Sequence, residues 1–170
     1  MSASKPVELK IPSVRVYAKP LLKLGLDDKH QFQAPPVDKA DQAGWYTGGV
    51  TPGEKGVSVV LAHYATVKGP GLLWDAGRVK VGDPIEVKRA DGRTARFVVQ
   101  KIEQVRKEKV TARDVKLNSK HAELRLIVPG RSLVREGLPG AGRKNDVQKE
   151  KGDGGAVLRY NIVFYADLRK

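Results

Sequence analysis

The 170-residue chain contains no cysteine. That excludes disulfides, thiolate zinc sites and a cysteine nucleophile. Histidine is nearly as scarce: His30, His63 and His121 are the only three, too scattered to suggest a metal cluster. No metal and no cofactor are expected. No apolar run approaches the roughly 18 residues that a membrane-crossing helix needs. The opening "MSASKPVELKIP" also lacks the apolar core of a signal peptide. The chain reads either as cytoplasmic or as one whose membrane anchor lies outside it.

Positive charge is abundant. The net charge is +13, and it is unevenly placed: residues 1–85 carry 11 basic and 8 acidic groups, residues 86–170 carry 21 and 11. Such a field attracts polyanions; the plain alternative is a basic solvated surface without a dedicated ligand. With 40% apolar and 30% charged residues, the composition is that of an ordinary globular domain, and the length favours one domain with a single core.

Along the chain the signals are mostly those of strands. Residues 7–18 alternate but are broken by Pro12, so a strand is expected from about Val14 to Ala18. "LLKLGL" (21–26) reads as a helical turn or bend. Residues 30–56 read as a long ordered connection pinned by Trp45 and Tyr46. "VSVVLAH" (57–63) is a continuous apolar run, expected as a buried central strand ending in His63. "GPGLLWDAG" (69–77) suggests one or two helical turns with Leu72, Leu73 and Trp74 turned inward. Two alternating strands flank Asp91-Gly92, an Asp-Gly hairpin turn. Residues 111–118 predict a helical turn and 123–128 a strand that stops at Pro129, which has no N–H for a ladder. Residues 129–155, with seven glycines, read as a long basic loop, and 156–168 as a closing strand. The fold class is all-β, barrel or sandwich.

His63 ends an apolar strand and Arg159 opens the last one. Each taken alone is ordinary: a buried histidine bonded to a backbone carbonyl, and a rim arginine paired with an acid. Together with the end of strand 123–128 they form a pattern. "IPSVRVYAKPLLKLGLDD", "GWYTGGVTPGEKGVSVVLAHYAT", "GDPIEVKRADGRTARFVV", "ELRLI" and "NIVFYADL", in that order, resemble the sortases, most closely the actinobacterial class F type. The resemblance implies a closed eight-stranded β-barrel with a few short helices over residues 13–170, an N-terminal extension at 1–12, and a long basic loop at about 129–155. It also implies thiol acyl transfer: a cysteine attacks the Thr–Gly bond of an LPxTG-like sorting signal, and an amine resolves the thioester. His63 would handle protons and Arg159 would stabilise the oxyanion.

The nucleophile is missing. Where the family reads Leu-Ile-Thr-Cys, this chain reads Leu126-Ile127-Val128-Pro129, and Pro129 stands at the cysteine position. Ser132 is the alternative nucleophile, three residues on and up to about 10 Å away. Three readings follow. One is a sortase-like cell-surface domain without transpeptidase activity, acting as a binding or structural module. Another is an active transpeptidase or hydrolase using Ser132. The third is a module binding anionic wall polymers through Arg131, Arg135, Arg143 and Lys144. The expected partners are a peptide sorting signal or an anionic cell-wall polymer. Nucleic acid is not expected, because no aromatic platform accompanies the charges. A monomer at the extracellular face is expected, membrane-associated only through an anchor outside this chain.

Overall fold

The computed structural model describes residues 1–66, 68–106, 109–112, 115, 118–130 and 160–169. Among the described residues eleven strands run in chain order: β1 (Pro6–Ile11), β2 (Val16–Ala18), β3 (Leu22–Leu24), β4 (Ala43–Tyr46), β5 (Gly56–Ala62), β6 (Ala65–Thr66), β7 (Gly69–Pro70), β8 (Pro84–Arg89), β9 (Thr94–Arg106), β10 (Ala122–Gly130) and β11 (Tyr160–Leu168). Among the described residues, short 3-10 helices lie between them at Pro12–Val14, Val37–Lys39 and Ala76–Arg78. Among the described residues no helix is long and apolar enough to cross a membrane.

Nine strands form one sheet in the order β2-β1-β8-β9-β11-β10-β5-β4-β3. The expected closed eight-stranded barrel is corrected: the sheet is a curled half-barrel, with β2 and β3 at its two edges among the described residues. Ala18 ends β2 and Leu22 opens β3, so four Cα steps span them, about 14 Å at most. Pro20, in that connection, has no N–H with which to extend a ladder.

The curl encloses the main core, where Ile85, Val87, Phe97, Leu124, Leu126, Val128 and Phe164 are almost fully buried. Each such apolar side chain contributes about 1.5–3 kcal/mol. A second cluster lies on the opposite face of the central strands, around Leu24, Val59, Leu61, Ile127 and Val163. β5 is therefore buried on both faces along its whole length, which is why its sequence is continuously apolar.

Several local expectations change. Residues 6–11, expected in an N-terminal extension, form β1 between β2 and β8, with Leu9 and Ile11 fully buried. Pro12 does break the alternation, ending β1 and opening a 3-10 turn, and the strand expected beyond it runs over Val16–Ala18. "LLKLGL" contributes β3 rather than a helical turn, since Leu22–Leu24 find a parallel partner in β4. Only Leu73 of the trio 72–74 is buried, at 1% exposure, whereas Trp74 is 43% exposed. The Asp91-Gly92 turn forms as read, with Gly92 at φ +82. β10 continues through Pro129 to Gly130, paired with β11.

Candidate functional site

His63 follows the last residue of β5. Strand alternation places it on the face of Val59 and Leu61. The side chain is 7% exposed. Its Nε2 lies 2.6 Å from the carbonyl oxygen of Pro35; a carbonyl only accepts, so Nε2 carries the hydrogen. Nδ1 is buried and has no partner among the described residues. The backbone just beyond is clamped as well: Leu73 N–H donates to the His63 carbonyl at 2.9 Å, and Gly71 N–H to the Tyr64 carbonyl at 2.8 Å. Glycine is required at 71, because a Cβ there would overlap the His63 carbonyl.

β10 runs parallel to β5, with Ile127 opposite Leu61. The ladder extends one rung past the strand end, as Tyr64 N–H donates to the Pro129 carbonyl at 3.3 Å. In a parallel pair a residue sits between the two partners it bonds. Pro129 is therefore opposite His63, on the same face, and half-buried. The donor that proline lacks would have met the Ala62 carbonyl, on the last rung. On its other side Pro129 pairs with Asn161 of β11, which is 8% exposed.

The structure thus brings together His63 and Pro129, residues far apart in the chain. Arg159, Ser132, Arg131, Arg135, Arg143 and Lys144 lie outside the described residues. Two neighbours escaped the sequence reading: the Pro35 carbonyl, for which no local signal exists, and Asn161, which the register with Pro129 alone reveals.

The same sheet face carries a groove of about 330 Å³, lined by Val57, Val105, Val110, Val163 and Tyr165 and by the polar Ser119, Glu123 and Arg125. The alternation of β10 could have found it, since Glu123, Arg125, Ile127 and Pro129 share one face. Four to six residues at about 3.3 Å each set the charged end of the groove some 13–20 Å from Pro129. Arg125 reaches Glu123 at 2.6 Å and lies 4.5 Å from the centre of the Tyr165 ring. Burial pushes the Glu123 carboxyl up, but hydrogen bonds from Ser119 and Arg125 outweigh it and hold the group below its ordinary value. Burial, with Glu103 nearby, raises the Tyr165 phenol.

What this arrangement can do follows from its atoms. An imidazole can move a proton, but a prolyl side chain offers neither a lone pair nor an acidic hydrogen, so position 129 cannot form an acyl intermediate.

The comparisons with known proteins agree with this topology. The chain superposes on sortase A from Corynebacterium diphtheriae, in a lid mutant, with a TM-score of 0.63 and 16% identity, covering 100% of this chain and 73% of that one. It superposes on sortase C1 from Streptococcus agalactiae with a TM-score of 0.63 and 16% identity, covering 96% and 67%. A pilus-related sortase C of Group B Streptococcus gives a TM-score of 0.64 and 13% identity, covering 100% and 70%. Identities this low establish the fold alone. No curated protein sequence matches the chain. The family model of the sortase domain matches residues 9–129, well over half the chain, and the chain belongs to the sortase family.

Proposed function

We propose that this protein is a sortase-fold domain of the actinobacterial class F type that has lost thiol transpeptidase activity and serves as a binding module at a cell surface. The observation that carries the reading is the neighbour of His63. Across the parallel pair stands Pro129, in a chain without a cysteine. On this reading Pro129 occupies the nucleophile position, and His63 and Arg159 are remnants of the proton-transfer and oxyanion-binding groups.

Acyl transfer through an enzyme needs a nucleophile that bonds to the carbonyl carbon and later leaves. Without it, His63 could only activate water. Nε2 is engaged by Pro35 and Nδ1 is buried, so neither nitrogen is presented to a solvent molecule. The groove along β10 and β11 remains, mostly apolar with Glu123 and Arg125 in its wall, and it suits an extended peptide of the sorting-signal kind, held without being cut.

The test is incubation with an LPxTG-type peptide and an amine acceptor, followed by mass spectrometry. The expected result is intact peptide after prolonged incubation, with binding detectable by amide chemical-shift changes on β10 and β11. Cleavage or amine transfer that disappears in His63→Ala would overturn the reading.

A further inference from the structure

We propose a second binding site, for an acidic oligosaccharide, in the groove between the β1–β2 turn and the segment 71–78. It is distinct from the β10 groove and does not depend on the fate of the nucleophile. This groove has a volume of about 840 Å³, and its walls include Arg15, Tyr17, Leu72, Trp74, Asp75 and Arg78.

Two aromatic rings stand open there, Trp74 at 43% and Tyr17 at 52% exposure. Trp74 is braced: its indole stacks on Tyr64 at 4.8 Å between ring centres and 20° between planes, and Tyr64 is itself buried. The indole is therefore fixed before any ligand arrives, and little side-chain entropy remains to be lost on binding.

Arg15 supplies an independent sign. It adopts a left-handed backbone conformation, φ 55 and ψ 35, closing the turn with its N–H on the Pro12 carbonyl. A non-glycine residue there costs about 1 kcal/mol, and glycine would close the same turn freely. The chain instead places a guanidinium at that point. Among the described residues the side chains of Arg15, Arg78 and Asp75 make no hydrogen bond or ion pair. Lys10 adds a further cation 5.5 Å from the centre of the Tyr17 ring.

The mixture of groups selects the ligand. Two guanidiniums suit carboxylates in forked geometry. A fixed indole face suits the C–H face of a sugar ring. Asp75 accepts from hydroxyls and repels closely spaced phosphates, which disfavours nucleic acid. A proline-rich peptide would use the aromatics but leave both arginines idle. The net charge of +13 draws an acidic chain towards the surface.

The test titrates a linear uronate tetrasaccharide at low salt and follows tryptophan emission. The chain has two tryptophans, and Trp45 is only 7% exposed, so a change reports on Trp74. The uronate is expected to bind with an affinity that falls as salt is added, and a neutral tetrasaccharide about tenfold more weakly. Arg78→Gln and Arg15→Asn should each weaken binding by about fivefold or more, the size expected for one charge-assisted contact. Asparagine tolerates the left-handed backbone, so Arg15→Asn leaves the turn intact. The proposal fails if the uronate changes nothing at low salt. It also fails if both arginine variants bind it as the original chain does, or if an oligonucleotide or a proline decamer binds more tightly.

Discussion

Replacing Pro129 with cysteine would place a thiol beside His63, and the geometry sets what that thiol should feel. The residue sits opposite His63 in a parallel pair, where neighbouring strands are about 4.8 Å apart, and both side chains leave the sheet on the same face. Nδ1 of His63, which has no partner among the described residues, can take the thiol proton, and an opposite charge created in this way within about 4–6 Å lowers a thiol pKa by roughly 1–3 units. The lower end applies here, because Pro129 is only half-buried and solvent screens the pair. The expected midpoint for the new thiol is therefore about 7.5, against about 8.5 for a free cysteine. The fold should accept the change. The restored N–H can reach the Ala62 carbonyl for a net gain of about 1 kcal/mol. Loss of the restriction that proline puts on the unfolded chain costs a similar amount, about 0.4–1 kcal/mol. The assay is the rate of iodoacetamide labelling against pH, read by intact mass, and it is clean because the chain has no other cysteine. Adding His63→Ala should return the midpoint to about 8.5. A midpoint at or above that value, indifferent to His63→Ala, would refute the pairing of positions 63 and 129.

His63→Ala by itself removes the donor to the buried Pro35 carbonyl. Urea unfolding should show a loss of about 2 kcal/mol, and unchanged stability would mean that this bond is not made in solution. Gly71→Ala drives a Cβ into the His63 carbonyl, which is backbone and cannot swing aside; a loss of about 2 kcal/mol or more should appear as a lowered melting temperature. Glu123 has a carboxyl held below its ordinary value, so its folded pKa is depressed. Its contribution to stability is then complete above about pH 4.5 and fades as pH falls through the lower folded value. Glu123→Gln should cost about 1 kcal/mol near neutrality. In paired urea titrations the gap between the two proteins should close in acid; a gap that widens there would contradict the assigned direction.

The parts of the fold that were legible in the sequence are those written locally. Asp91-Gly92 marks its hairpin because the turn needs a positive φ at Gly92. The run from 57 to 62 announces a strand covered on both faces, and β5 is one. Three-residue strands leave no period to detect, so Leu22–Leu24 could be recognised only through its partner Gly44–Tyr46, some 22 residues on. β1 was obscured by Pro12, although the alternation before it was real: Leu9 and Ile11 are buried in the core while Lys10 between them is exposed. Trp74 looked like a core residue by its size, yet Leu73 fills the inward position and leaves the indole outside. The meeting of His63 with Pro129 has no local trace at all. A parallel pair joins distant segments without a hairpin, and only the ordered resemblance of several motifs pointed to it. The Pro35 carbonyl on His63 was invisible for the same reason.

Position 129 answers two separate demands, and different atoms meet them. The sheet needs an extended residue whose carbonyl receives the Tyr64 N–H, while its neighbour Val128 fills the interior. Proline satisfies that demand: its carbonyl is intact, and its φ of about −65° lies within reach of extended backbone. Its absent N–H falls opposite Ala62, the last residue of β5, where one ladder bond is lost and a single bond, from the Tyr64 N–H to the Pro129 carbonyl, follows. Two residues earlier the same substitution would break a ladder flanked on both sides by β5 and β11. Transpeptidation makes its demand on the side chain alone. On the proposed reading, a strand end in this fold gives up its nucleophile at the cost of one ladder bond, while the Leu73 bond to the His63 carbonyl and the Tyr64 bond to the Pro129 carbonyl stay in place, and a well-formed sheet face is no measure of surviving chemistry.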